Sequence, residues 1–237
     1  MKLMQNLRSI ARKIIRPGNS AKRGEIKNDE FYDLIQHTAA RSDVRTILEI
    51  GASTGDGSTE ALTLGMAKNA SAPLLFCIEA LKDRFEILNR RYSANPSVKC
   101  YNVSSIGTEQ YPTVDTVRAF FAVMPASHCL PDVETALGWR RGELDYLQSQ
   151  QLEQHGIKKI LSENGIDRFD LALIDGSEFT GSVELDLVYG ARIILLDDIN
   201  TFKNHFSAQR LVLDPSYRLA CSNTRLRNGY AAFERVD

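Results

Sequence analysis

Short apolar stretches alternate with helix-length segments along most of this chain, and that alternation limits its fold more than any other feature. Residues 46–50, 74–78 and 98–103 read as strands, and residues 31–40, 59–68 and 83–92 carry apolar side chains at helical spacing. Strands that are apolar on both faces and joined by helices belong to parallel sheets with right-handed crossovers. The rhythm resumes with strands at 169–174 and 191–196. It closes with 217–222 and 230–236 flanking Arg227-Asn228-Gly229, a hairpin-like pair. The expected architecture is α/β, a doubly wound and mostly parallel sheet with an antiparallel C-terminal strand pair.

Residues 108–165 break the rhythm. This segment holds Met124-Pro125, Leu130-Pro131 and the lone Trp139, followed by a polar helical run over 141–164. An insertion of this length in an α/β domain is expected to be a cap that sets substrate specificity.

The other departure is at the start, where residues 1–28 carry eight basic side chains against the single acid Glu25. Leu3, Leu7, Ile10 and Ile14 recur there at helical spacing until Pro17-Gly18 ends the pattern. The chain therefore divides into a basic amphipathic helix and linker, 1–27, and a main domain, 28–237. Residues 1–16 could attach peripherally to an anionic membrane surface, or pack on the domain or on a second copy in a homo-oligomer; the second reading is favoured.

Several classes are set aside. The N-terminal segment lacks the continuous apolar core of a secretory signal, so a cytoplasmic location is expected. A net charge of −1 provides no field for nucleic acid. Cys77, Cys100, Cys129 and Cys221 contain no CxxC pair and read as free thiols, and His37, His128, His155 and His205 show no metal-ligand spacing.

The chemistry concentrates in the turn after the first strand. Gly51, Gly55 and Gly57 lie between a buried strand and a helix, where missing side chains let backbone approach a ligand. The dinucleotide fingerprint fails, because Ser53 and Asp56 occupy two of its glycine positions, and no GK[ST] phosphate loop is present. Glu49 would repel a pyrophosphate but suits the cationic amino-acid end of a zwitterionic sulfonium ligand. Glu79 ends the second strand, where a carboxylate holds ribose hydroxyls in such folds.

In these residues the sequence resembles the class I S-adenosylmethionine-dependent methyltransferases. Glu49-x-Gly51-x-x-x-Gly55 looks like their first motif, Glu79 matches the acid that grips the ribose, and residues 101–104 lie where adenine is contacted. The resemblance spans about residues 28–237. It implies a Rossmann-like methyltransferase fold, S-adenosylmethionine as cofactor, and a cofactor site of Glu49, Gly51, Ala52, Ser53, Gly55, Glu79, Ala80 and Ser104.

Two later strand ends carry acids: Asp175 in Ile174-Asp-Gly-Ser-Glu178, and Asp197-Asp198-Ile199-Asn200. In a doubly wound sheet these ends are neighbours, so three carboxylates converge. Either some hold protons, or a basic side chain such as Lys203 neutralises them, or a hard cation sits among them.

The pattern resembles the macrocin-type sugar O-methyltransferases and, in general layout, the FkbM-type group. That resemblance implies Mg2+ held by Asp175, Asp197 and Asp198, with Asn200 a further ligand candidate, and a hydroxyl acceptor on a sugar or polyol-like molecule. Relatives carry Asp-Gly-Asp-His where this chain has Asp-Gly-Ser-Glu, which leaves Asp175, Glu178 and His205 as catalytic candidates, with Lys203 and Tyr189 as alternative bases. Residues 201–206 could wall an acceptor pocket or begin a helix with Phe202 and Phe206 in the core.

The function expected is S-adenosylmethionine-dependent O-methylation of a small molecule. Two alternatives are a catalytically silent S-adenosylmethionine-binding partner that docks another protein through 108–165, and a nucleotide-dependent α/β enzyme.

Overall fold

The structure, a computed structural model, describes residues 26–124 and 131–236; the basic helix expected at 1–16, most of its linker, His128 and Cys129 lie outside them. Helix α1 (Glu30–Ala39) leads into β1 (Thr46–Ile50), α2 (Ser58–Met66), β2 (Leu74–Ile78), α3 (Lys82–Tyr92) and β3 (Val98–Tyr101). After a short 3-10 turn come α4 (Val114–Val123), α5 (Val133–Ser149) and α6 (Gly156–Asn164). The chain ends with β4 (Leu171–Ile174), α7 (Gly181–Val188), β5 (Ile193–Asp197), α8 (His205–Leu213), β6 (Tyr217–Asn223) and β7 (Tyr230–Arg235). Asp29 caps α1 by accepting the Tyr32 amide at 2.8 Å, and Asp132 caps α5 through the Thr135 amide at 2.9 Å.

These strands form one seven-stranded sheet in the order β3-β2-β1-β4-β5-β7-β6. Five strands are parallel, and β7 runs antiparallel between β5 and β6. The doubly wound sheet and antiparallel terminal pair read from the sequence are both present.

Alternate side chains divide the core into two layers, as the two-residue period of a strand requires. Ile47, Leu75, Cys77, Leu171 and Leu173 meet Phe31, Leu62 and Leu88 of α1, α2 and α3 on one face. Leu48, Ile50, Phe76, Ile174 and Leu196 meet Ile157, Ile160, Leu185 and Leu211 of α6, α7 and α8 on the other.

The polar run over 141–164 is two helices rather than one. His155 adopts a left-handed φ of 59°, and α6 begins at Gly156, where a Cβ would lie 2.3 Å from a Val103 methyl. With Ile157 and Ile160 on the sheet, α6 is the crossover from β3 to β4. The inserted structure is therefore the shorter segment carrying α4 and α5. It has its own apolar cluster, Val117, Phe120, Ala136 and Leu137, closed underneath by Phe179 and Phe202. Phe120 meets Phe202 edge to face at 5.0 Å between ring centres, so Phe202 anchors the cap from below, and Phe206 is 44% exposed. Among the described residues no helix is long and apolar enough to cross a membrane.

Candidate active site

The strand order reverses between β1 and β4, and a crevice opens there beyond the carboxyl ends of the strands. Gly51 is what lets the two strand ends come together. It has φ +90°, and a Cβ on it would lie 2.1 Å from the Asp175 carbonyl oxygen. Beside it, the Glu79 carboxylate at the end of β2 accepts the Ser53 and Leu81 amides, each at 2.7 Å. One acid therefore braces both loops that border the crevice. Burial pushes the Glu79 carboxyl up, opposed by those two amides and by Arg84.

A cavity of about 940 Å³ occupies this crevice. Its floor includes Ile50, Gly51, Ile78, Glu79, Ala80, Val103 and Ser104, and its far end includes Tyr111, Asp175, Gly176, Ser177 and Glu184. The roof is α5. Thr135, Gly138, Trp139, Gly142, Glu143, Tyr146 and Leu147 all line the cavity, a single helical stripe at i, i+3, i+4, i+7, i+8, i+11 and i+12.

This roof is fastened at both ends of the crevice. Tyr146 accepts the Lys82 amide at 2.8 Å beyond β2, and Glu143 accepts the Ser177 hydroxyl beyond β4. Burial pushes the Glu143 carboxyl up to about 7, with Glu178 and Glu184 adding to the rise and the Ser177 hydroxyl and Lys203 opposing it. Glu184 is fully buried, accepts the Ser105 and Thr180 hydroxyls on one oxygen, and is raised first by that burial.

Asp175, Asp197 and Asp198 converge as expected, with one oxygen of each within 4.8 Å of the others. Asp198 is held at φ 56°, a left-handed conformation that aspartate tolerates better than most residues. Lys203 Nζ donates to Asp175 Oδ1 at 2.8 Å and to Asp198 Oδ2 at 2.6 Å. Arg227 Nη1 donates to both oxygens of Asp197 at 2.9 and 2.7 Å, and Asn228 donates to Asp198 Oδ1 at 2.9 Å.

Burial disfavours the Lys203 charge, but Asp175 and Asp198 hold its pKa well above the ordinary lysine value. Burial also raises Asp175, helped by Asp197 and Asp198 and opposed by Lys203. For Asp198 burial is outweighed by Lys203 and Asn228, and its pKa lies below the ordinary value. The Asn200 amide donates to the Thr224 carbonyl at 2.8 Å. A divalent ion does not fit this donor set as it stands, because each of the three carboxylates is already paired with a tethered cation, Lys203 or Arg227.

Of the residues singled out from the sequence, the cavity wall gathers Gly51, Glu79, Ala80, Ser104 and Asp175. Ala52 is buried, and Ser53 and Gly55 shape the loop behind the wall; Gly55 has φ +78° and faces Leu88 and Tyr92. The loop amides expected to face a ligand turn instead toward β2, with Gly51 and Ala52 donating to the Ile78 carbonyl at 3.0 and 3.1 Å.

Glu49 points away from the crevice. It shares the Ile47 face of β1, is fully buried, and accepts the Thr59 hydroxyl at 2.7 Å. Burial raises its carboxyl, against hydrogen bonds from Ser58, Thr59 and Cys77. Glu178 accepts the Phe202 amide at 3.0 Å and the Thr201 hydroxyl at 3.2 Å, and so serves the turn after β5. His205 pairs with Gln209 on α8 and meets Phe120 edge to face. Neither Glu178 nor His205 is on the cavity wall, whereas Tyr111, Glu143, Ser177 and Glu184, none of them singled out from the sequence, are.

No protein-family model matches the chain, and no curated protein sequence matches it. Solved structures do. An O-methyltransferase from Bacillus cereus in complex with S-adenosylhomocysteine is 13% identical with a TM-score of 0.53, the match covering 100% of this chain and 91% of that one. A methyltransferase from Geobacter sulfurreducens is 11% identical with a TM-score of 0.50, covering 100% and 90%. The likeness is one of fold: the chain has the Rossmann-like fold of these methyltransferases, with the mostly parallel seven-stranded sheet and antiparallel terminal pair.

Proposed function

We propose that this protein is an S-adenosylmethionine-dependent methyltransferase that modifies a hydroxyl group on a small molecule, with a sugar or polyol-like acceptor as the leading class. The observation that carries the reading is Glu79, which lines the cavity at the end of β2 while bracing the Gly51–Ser53 turn. Each Glu79 oxygen accepts one amide and so retains a lone pair for a ribose hydroxyl. The cavity volume of about 940 Å³ has room for the donor together with a small acceptor. Gly51, Glu79, Ala80 and Ser104 would hold the donor. When bound, S-adenosylmethionine supplies a methyl group made electrophilic by its sulfonium.

The acceptor end is then the region of Tyr111, Glu143, Ser177 and Glu184. Glu143 is the base best placed to take the acceptor proton, since it faces the cavity and sits near neutrality in its affinity for protons. The Ser177 hydroxyl fixes the orientation of its carboxylate. Helix α5 excludes water and holds the reactants together, an arrangement that lowers barriers by about 7–11 kcal/mol where reacting groups are well aligned.

The test is a crystal soak with S-adenosylhomocysteine. Density between Gly51, Glu79 and Ser104 supports the assignment, and density elsewhere or none contradicts it.

A further inference from the structure

The acid cluster at the ends of β4 and β5 has the composition of a divalent-metal site and the wiring of something else. We propose that Lys203 is a tethered cation standing in the place of a divalent metal, so that this site works without one.

Lys203 sits between two of the three carboxylates that would coordinate an ion, engaging Asp175 Oδ1 and Asp198 Oδ2. Lys203 is only 7% exposed, and the turn that carries it is fixed on both sides. Lys203 N donates to the Thr201 hydroxyl at 3.3 Å, while the Asn204 side chain donates through Nδ2 to the Ile174 and Asp197 carbonyls at 3.0 and 2.7 Å, clasping β4 to β5. An ion could enter only by expelling a buried ammonium from its two carboxylates, and nothing in the cluster would compensate the displaced charge. Arg227, which it shares with Asp29, supplies a cation to the third carboxylate, Asp197. Two permanent cations facing three carboxylates offset most of the cluster's negative charge without a metal. Asp175 also lines the cavity, so the fixed charge acts on the same chamber that α5 covers.

The inference yields an inverse prediction: removing the ammonium should create a metal site. Mn2+ is titrated into the full-length protein at neutral pH, and the free ion is followed by its electron paramagnetic resonance signal. The wild-type protein is expected to leave the signal at its buffer amplitude. Lys203→Met, checked for folding by circular dichroism, is expected to deplete it toward one equivalent, with affinity gained by about tenfold or more.

Stoichiometric Mn2+ binding by the wild type that disappears in Asp198→Asn overturns the proposal, and so does a folded Lys203→Met that binds no Mn2+. Should Lys203→Met fail to fold, the wild-type titration decides, together with thermal melts in MgCl2 and in NaCl of equal ionic strength. Identical midpoints support the tethered cation, and a higher midpoint in MgCl2 contradicts it. None of these readouts uses the methyl donor, so they stand apart from the methyltransferase reading.

Discussion

Ser177, just beyond β4, donates its hydroxyl to Glu143 in the middle of the cap helix α5. This bond ties the roof of the cavity to the strand end that carries Asp175, across 34 residues of chain. It also leaves an acid with a carboxyl pKa pushed up to about 7, mainly by burial, facing the chamber. If Glu143 takes the acceptor proton, turnover rises with pH through about 7 in the wild type. In Glu143→Gln turnover falls by about 10²–10⁴-fold and the pH limb disappears, while S-adenosylhomocysteine affinity holds. Initial rates across the pH range check this.

The same group makes a stability prediction. Tyr111, Glu178, Glu184 and Lys203 face Glu143, and burial sets the net upward direction. A carboxyl raised above its unfolded value of 4.5 favours the folded state fully below that pH, and that contribution is lost as pH rises through about 7. Relative to Glu143→Gln, the wild type is therefore expected to lose about 1–3 kcal/mol between those limits. Urea titrations at successive pH values measure the difference.

Gly51→Ala places a methyl group 2.1 Å from the Asp175 carbonyl at a φ of +90°. Both the strained conformation and the collision oppose it. A destabilisation of about 3 kcal/mol or more is expected, with loss of donor binding, because the β1 and β4 ends must separate. Chemical denaturation and ligand titration of the same sample give both quantities.

The strand rhythm, the sheet with its antiparallel end, and the cluster at Asp175, Asp197 and Asp198 were legible because they rest on hydrophobic periodicity and on where acids fall at strand ends. Glu49 was not, since β1 is buried on both faces and its apolar run hides which side each residue takes. The α5 stripe was within reach: Trp139, Glu143 and Tyr146 stand at helical spacing, with Gly138 and Gly142 between them. Its partner Ser177 depends on a tertiary contact that no local pattern encodes. Lys203 appeared among three ways to neutralise the acids, and only the distances to Asp175 and Asp198 select it. The break between α5 and α6 rests on two left-handed residues, Gln151 and His155, in a stretch, 150–155, where no glycine or proline marks a turn.

Arg227 links Asp29 ahead of α1 to Asp197 at the end of β5. Asp197 is 3% exposed, so Arg227→Met strands a buried carboxylate. A loss of about 3–5 kcal/mol is expected, and most of it should return in Arg227→Met/Asp197→Asn, where the uncompensated charge is gone. Equilibrium unfolding of the single and double variants tests the coupling.

Calorimetric titration of S-adenosylhomocysteine into the full-length protein, run beside Glu79→Ala, bears most directly on the whole account. Saturable one-to-one binding by the wild type, weakened by about tenfold or more in Glu79→Ala where the Ser53 and Leu81 amides lose their acceptor, is the predicted result. A folded wild-type protein that gives no binding heat at any temperature, or a Glu79→Ala variant that binds as tightly as the wild type, contradicts it.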